Sequence, residues 1–159
     1  MRFVEHHFVE SYYPTIENQF SQPITHNGVE YTTEIVDTAG QDEFTIMSQK
    51  HFIGVHGYML VYSIASKASF DMLPIIRDKI LNALGADAAP MVLVGNKTDL
   101  NSTRQVSYEQ GAQLAASFKC PFVETSAKSD ANVQKAFEAL IGEIEHTSDT
   151  DKDSKCIIC

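Results

Sequence analysis

Met91-Val92-Leu93-Val94-Gly95-Asn96-Lys97-Thr98-Asp99 is the stretch that decides the fold. It opens with a near-continuous apolar run, Met91–Val94, of the kind expected of a strand covered on both faces. It closes on a polar loop that carries an amide, an ammonium and a carboxylate. A second run of the same kind spans Tyr58–Ile64, and Phe122–Val123 is a shorter one. Helical stretches are expected over Ser66–Leu84, Ser107–Phe118 and Asp130–His146, each opening near a Ser or Asp that suits an N-cap. Pro74 falls inside the first of them, so that helix is expected to kink or start late. Strands that alternate with helices imply an α/β fold with a mostly parallel sheet. Ligands of such sheets bind at the C-terminal edge of the strands, where residues 96–99 lie.

The neighbouring sequence fits this outline. Gln19–His26 and Val29–Asp37 flank Asn27-Gly28, a strong two-residue hairpin signal. The chain has 159 residues, enough for one domain with one ordinary core. Its net charge of −9 argues against nucleic acid as a partner and against unaided binding to an anionic membrane. Three cysteines, Cys120, Cys156 and Cys159, form no disulfide framework and point to a reducing compartment. No apolar run reaches the length of a membrane span. The opening Arg2-Phe3-Val4-Glu5-His6-His7 is mixed and polar, unlike a signal peptide. Met1–Phe8 reads as the end of a helix. The histidines show no metal-ligand spacing, and Cys120 reads as a small core residue.

Four short strings carry chemistry. Asp99 follows a buried strand, and a carboxylate accepts two parallel hydrogen bonds. Guanine offers two donors side by side, its ring N–H and its exocyclic amine, where adenine offers no such pair. Asn96 suits a bridge between loops, and the stem of Lys97 suits the face of a ring. Asp37-Thr38-Ala39-Gly40-Gln41 ends the second hairpin strand. There Asp37 suits a water-bridged Mg²⁺, and the Gly40 amide suits a γ-phosphate because no side chain blocks it. Gln41 is placed to orient an attacking water. Thr15, within Tyr12-Tyr13-Pro14-Thr15-Ile16-Glu17, has a hydroxyl for Mg²⁺ and an amide for the γ-phosphate. In Thr125-Ser126-Ala127-Lys128 the backbone amides suit the guanine oxygen.

In this order and spacing the four strings resemble those of a Ras-type small GTPase. Tyr12–Phe20, with Thr15-Ile16-Glu17-Asn18, and the preceding Phe3-Val4-Glu5 and Phe8-Val9 resemble the Rheb branch. The resemblance runs from about Phe3 to Phe137. It implies a P-loop NTPase-type sheet with flanking helices over residues 1–146. It also implies a switch that binds GTP and GDP with Mg²⁺ and hydrolyses GTP through Gln41. Nucleotide contacts would fall on Tyr12, Thr15, Gly40, Asn96, Lys97, Asp99, Ser126, Ala127 and Lys128, and Mg²⁺ ligation on Thr15 and Asp37. An effector kinase complex and a GTPase-activating protein are the implied partners. The effector region would be Tyr12, Tyr13, Pro14, Thr15, Ile16, Glu17, Asn18, Gln19 and Phe20.

The chain departs from the family pattern in two places. Tyr13 stands where the family usually has Asp. The string G-x-x-x-x-G-K-[ST] and the strand before it are absent from the 159 residues, and the first glycine is Gly28. Met1 is therefore expected to be an internal methionine used as a start. The family's first strand lies centrally, between the strand ending at Asp37 and Tyr58–Ile64. Without it the sheet is expected to be unstable, to aggregate, or to close by pairing those two strands directly. Nucleotide binding is expected to be weak and hydrolysis negligible. The alternative function is a non-catalytic effector-binding protein or a fragment of a longer reading frame.

Residues 147–159 are polar and acidic and read as a disordered tail. Its end, Cys156-Ile157-Ile158-Cys159, fits a prenylation signal with Cys156 as the lipid site. A C-x-x-C metal pair is the rival, but one pair without two further ligands makes a poor zinc site. One prenyl chain without a polybasic patch gives marginal anchoring. A cytoplasmic protein attached reversibly to endomembranes is the expectation.

Overall fold

The computed structural model describes residues 2–11, 17–38, 54–148 and 156–158, the last three through their backbone. The order of elements is α1 (Arg2–Glu5), β1 (Glu17–His26), β2 (Val29–Thr38), β3 (Tyr58–Ser63), α2 (Lys67–Asp71) and α3 (Leu73–Leu84). There follow β4 (Met91–Asn96), a 3₁₀ segment (Thr98–Thr103), α4 (Tyr108–Phe118), β5 (Phe122–Glu124), α5 (Val133–Ser148) and β6 (Cys156–Ile158).

The expected parallel sheet is present as β3-β4-β5, with every neighbour parallel. All of Met91–Gly95 is buried, because β4 is covered on both sides. Alternation sends Met91 and Leu93 to one face, where Tyr58, Leu60, Tyr62, Ile80 and Ala115 pack with them. Val92 and Val94 go to the other face, against Ala136, Leu140 and Ile141 of α5. Ile24, with Tyr31 and Ile35 packed against the same cluster, joins the hairpin to α5. His26 Nε2 lies 3.5 Å from Glu145 Oε2, and Tyr31 donates to the same carboxylate.

The hairpin turns at the expected place. His26 pairs with Val29, and Asn27 and Gly28 both take positive φ, 50° and 79°. A two-residue type I′ loop requires that conformation, and Asn-Gly adopts it at least cost. The first long helix is split at Met72, with Pro74 in the opening turn of α3, where its missing N–H costs nothing. Ser66 caps α2, and Ser107 forms a capping box with Gln110 on α4.

Three expectations need correction. The helix expected from Asp130 begins at Val133. Asp130 and Asn132 instead take left-handed turn conformations, with φ of 59° and 57°. The opening helix stops at Glu5 and not Phe8, because His6 adopts φ 55° and turns the chain. Thr147 and Ser148, expected in the tail, belong to α5, and Cys156–Ile158 form a strand. Of the outcomes expected for the gap beside β2, direct pairing of β2 with β3 is not seen: the described residues form two three-stranded sheets, β1-β2-β6 and β3-β4-β5. The β2 edge is taken over Thr33–Ile35 by β6, in parallel register.

Candidate functional site

The site grows from the end of β4. Asn96 is its last residue, and Lys97 then adopts φ 68° and ψ 38°. A left-handed lysine costs about 1–2 kcal/mol. It persists because the loop is tied down on both sides. The Lys97 carbonyl accepts from Leu100 N–H at 2.8 Å, and Thr98 N–H donates to the Thr125 carbonyl at 3.1 Å. The bend places Asp99 on the first 3₁₀ turn, exposed at the sheet edge.

The loop after β5 is fastened to it by side chains. Asn96 Oδ1 accepts from Thr125 Oγ1 at 3.0 Å and from the Ala127 amide at 3.1 Å. Ser126, almost fully buried, donates from Oγ to Asp99 Oδ1 at 2.6 Å and accepts from Ser129 N–H at 3.1 Å. Ser126 and Ala131 exchange backbone hydrogen bonds of 3.0 Å, closing residues 126–131 into one turn. Among the described residues nothing else hydrogen-bonds to the Asp99 carboxylate. Oδ2 is thus available, and Oδ1 keeps one lone pair.

These groups surround a cavity of about 320 Å³, at the small end of ligand pockets. Asn96, Lys97, Asp99, Ala127 and Lys128 all line it, with Leu100 beside them. The structure thus brings together five of the predicted nucleotide contacts, while Ser126 acts from behind Asp99. Among the described residues Phe8 and Glu10 complete the lining, and the sequence reading did not place them at the site. Phe8 arrives there because α1 ends early. Arg2 holds α1 against the second loop, with Nη2 3.4 Å from Asp130 Oδ2 and Nη1 donating to the His6 carbonyl at 3.1 Å. Phe3 stacks on Phe137 of α5 at 3.8 Å. A signal existed in the sequence: Phe3 and Phe8 are five residues apart, so one helical face cannot bury both.

A brace was also missed. Arg104 makes a two-pronged contact with Glu124, at 2.6 and 3.0 Å, and donates to Asn101 Oδ1 at 2.8 Å. The pair links the 3₁₀ segment to β5 just before Thr125. The bond to Glu124 raises the Arg104 pKa further, so the guanidinium stays charged. Among the described residues no histidine or cysteine lines the cavity. Cys120 is half-buried, and burial pushes its thiol up to about 11.

Asp37 lies near the end of β2, opposite Asn18. Burial raises its carboxyl pKa, so its anionic form gains from a cation nearby. Asn18 and Gln19 are exposed on β1, and Phe20 is half-buried opposite Ile35. Tyr12, Tyr13, Pro14, Thr15, Ile16, Gly40 and Gln41 lie outside the described residues, as does the side chain of Glu17. Cys156 is described through its backbone alone. Among the described residues no cluster of three His, Cys, Asp or Glu could hold a metal ion. A Mg²⁺ site of one protein carboxylate, a hydroxyl, waters and phosphate oxygens needs no such cluster.

Comparison with known proteins agrees with this geometry. The family model described as Ras family matches residues 1–146. The chain is 61% identical to the small monomeric GTPase RhbA of Aspergillus fumigatus, over 99% of this chain and 87% of that protein. It is 57% identical to the GTP-binding protein rhb1 of Schizosaccharomyces pombe, over 91% of this chain and 78% of that one. To the human GTP-binding protein Rheb it is 47% identical, over 91% and 79%.

Proposed function

The chain belongs to the Ras family of small GTPases, in its Rheb branch, and from that premise we propose that the cavity at the end of β4 binds the base of GTP and GDP. The observation that carries this is the carboxylate of Asp99, held at the cavity by Ser126 with Oδ2 free. Guanine's N1–H and amine meet that carboxylate, and the Ala127 amide, oriented by Asn96, meets the base oxygen. The Lys97 stem and Phe8 cover the ring. Such polar contacts reject adenine, because its mismatched edge would leave Asp99 desolvated and unpaired.

The family is one of GTP-hydrolysing switches, and the base site is the half of that machinery that the described residues form; without the phosphate-binding string in these 159 residues, turnover by this chain is expected to be negligible. Mg²⁺ would be held by the Asp37 carboxylate and the Thr15 hydroxyl, and would neutralise charge on the phosphate oxygens. Gly40 contributes an amide toward the γ-phosphate, and Gln41 orients the attacking water, as their places in the family string imply. Effector and GTPase-activating proteins would meet Tyr12–Phe20, where Asn18 and Gln19 face solvent. A prenyl group on Cys156 would attach the protein reversibly to endomembranes. With a net charge of −9, the chain has little other attraction for an anionic surface.

The test is the ratio of affinities for different bases, which reports on this half of the site whatever the absolute affinity. GDP should bind more tightly than ADP by about 10²–10⁴-fold, the value of two hydrogen bonds to a charged acceptor. Asp99→Asn should shift preference toward xanthosine diphosphate, because the new amide donates where xanthine has an oxygen. Equal titration curves for GDP and ADP would overturn the assignment.

A further inference from the structure

Two walls of the base cavity come from distant parts of the chain. Phe8 follows α1, and Ala127 lies in the turn from Ser126 to Ala131. The Arg2 guanidinium is bonded to the segments that carry both. Its Nη1 donates to the His6 carbonyl at 3.1 Å, at the residue whose φ of 55° turns the chain toward Phe8. Its Nη2 lies 3.4 Å from Asp130 Oδ2, on the turn that carries Ala127. Asp130 takes φ 59°, a left-handed conformation that aspartate tolerates better than most side chains. Nε of Arg2 is buried with no hydrogen-bond partner among the described residues, so the other two nitrogens hold the group in place. A planar fork reaches two acceptors in fixed directions, which a lysine does not. Next along α1, Phe3 stacks on Phe137 and seats the helix on α5. The inner end of the turn is tied to the end of β4 by Asn96 and Asp99. Its outer end, at Asp130, is tied by Arg2 to α1.

We propose that Arg2 is a positioning residue for the nucleotide base, acting with Asp130 as a clamp that keeps Phe8 and the Ala127 amide at one spacing across the cavity. The proposal rests on the reading of this cavity as the guanine site. Arg2 and Asp130 do not line the cavity, so both act through the segments they hold. With the pair intact, an entering base meets a preformed apolar face and a preformed donor. With the pair broken, the Phe8 segment and the turn must be ordered at each binding event, and that ordering is subtracted from affinity. The two side chains are 21% and 47% exposed, so the strength of the pair depends on salt. That dependence separates the clamp from the contacts of Asn96, which carry no charge.

The test is a double-mutant cycle on the full chain, with GDP and ADP as titrants in calorimetry. Arg2→Gln and Asp130→Asn each remove the ion pair, and asparagine keeps the left-handed turn at 130 accessible. Each should weaken GDP binding about fivefold, the upper end for a partly exposed pair. The double variant should lose no more than either single one, because both remove the same contact. The loss should shrink to less than about twofold in 1 M NaCl, where the screening length is about 3 Å. The melting temperature without nucleotide should move by less than about 3 °C, which separates positioning from loss of the fold. Ala131 N–H donates to the Ser126 carbonyl at 3.0 Å, and its exchange with solvent should quicken about fivefold in Arg2→Gln with no nucleotide present. Unchanged GDP affinity in the single variants, additive losses in the double variant, or a loss of equal size in high salt overturns the proposal. If the wild-type chain binds GDP and ADP alike, the base-site reading fails and the clamp falls with it. A wild-type preference for GDP that Arg2→Gln leaves at full strength overturns the clamp alone.

Discussion

Asn96 is the residue whose loss should separate the two halves of the base site. Its Oδ1 accepts from Thr125 Oγ1 at 3.0 Å and from the Ala127 amide at 3.1 Å. Asn96→Ala removes the acceptor of both bonds at once. Thr125 is only 4% exposed, so its hydroxyl cannot turn to water, and Ala127 is half-buried. An unsatisfied buried donor costs about 1–3 kcal/mol. Two such donors, one of them partly reached by solvent, give an expected loss of about 3 kcal/mol. For a domain of this size that is a fall of about 6–12 °C in melting temperature. Asn96→Asp keeps the Oδ1 acceptor and should lose less than about 1 kcal/mol, which isolates the acceptor role from mere truncation. Thermal and urea unfolding of the three proteins give the stabilities, and GDP titration gives the base affinity. The expected order is wild type, Asn96→Asp, Asn96→Ala in both. If Asn96→Ala unfolds within about 0.5 kcal/mol of wild type, the range of ordinary surface changes, then the bridge between the loops does not hold them.

Three further outcomes are expected. Tyr62 is 2% exposed and its hydroxyl has no hydrogen-bond partner among the described residues, so Tyr62→Phe should stabilise the fold by about 1 kcal/mol in urea unfolding; a loss of stability would show that the hydroxyl is satisfied. Gly111 lies within α4, where alanine would ordinarily gain about 0.5–1 kcal/mol. A Cβ there would lie 2.4 Å from Phe122 Cζ and 2.5 Å from the Tyr62 hydroxyl, so overpacking of about 1–3 kcal/mol wins and Gly111→Ala should lower the melting temperature. Burial raises the Cys120 thiol to about 11 from an ordinary 9.0, and Tyr62 to about 12 from 10.0. The unfolded chain releases both protons first, so stability should fall as pH rises above about 9. Unfolding curves from pH 8 to 11 should show that slope, and it should flatten in Cys120→Ser; a pH-independent midpoint would contradict it.

How much of this was readable in the residues depends on how local each signal is. The Asn27-Gly28 turn, the Ser107 cap and the two-faced burial of Met91–Val94 are each set by adjacent residues obeying a short period. So is the presence of Asn96, Lys97 and Asp99 at a strand's end. The placement of Phe8 was not readable, because it depends on a left-handed His6 and on Arg2 reaching Asp130. Arg104 and Glu124 stand twenty residues apart with no period linking them.

The sequence by itself determined the alternation of strand and helix, the hairpin, and the four strings that identify a guanine-nucleotide site. These are properties of contiguous residues and their side-chain periods. Only the tertiary structure decided which loops touch. It joined Asn96 to Ala127 and Asp99 to Ser126, aimed Phe8 into the cavity, and set Cys156–Ile158 beside Thr33–Ile35. Polar side chains carry no record of a distant partner, and a sheet edge accepts any extended segment that reaches it. Those pairings come from the packing of the whole chain around α5 and β4, where backbone groups must find partners.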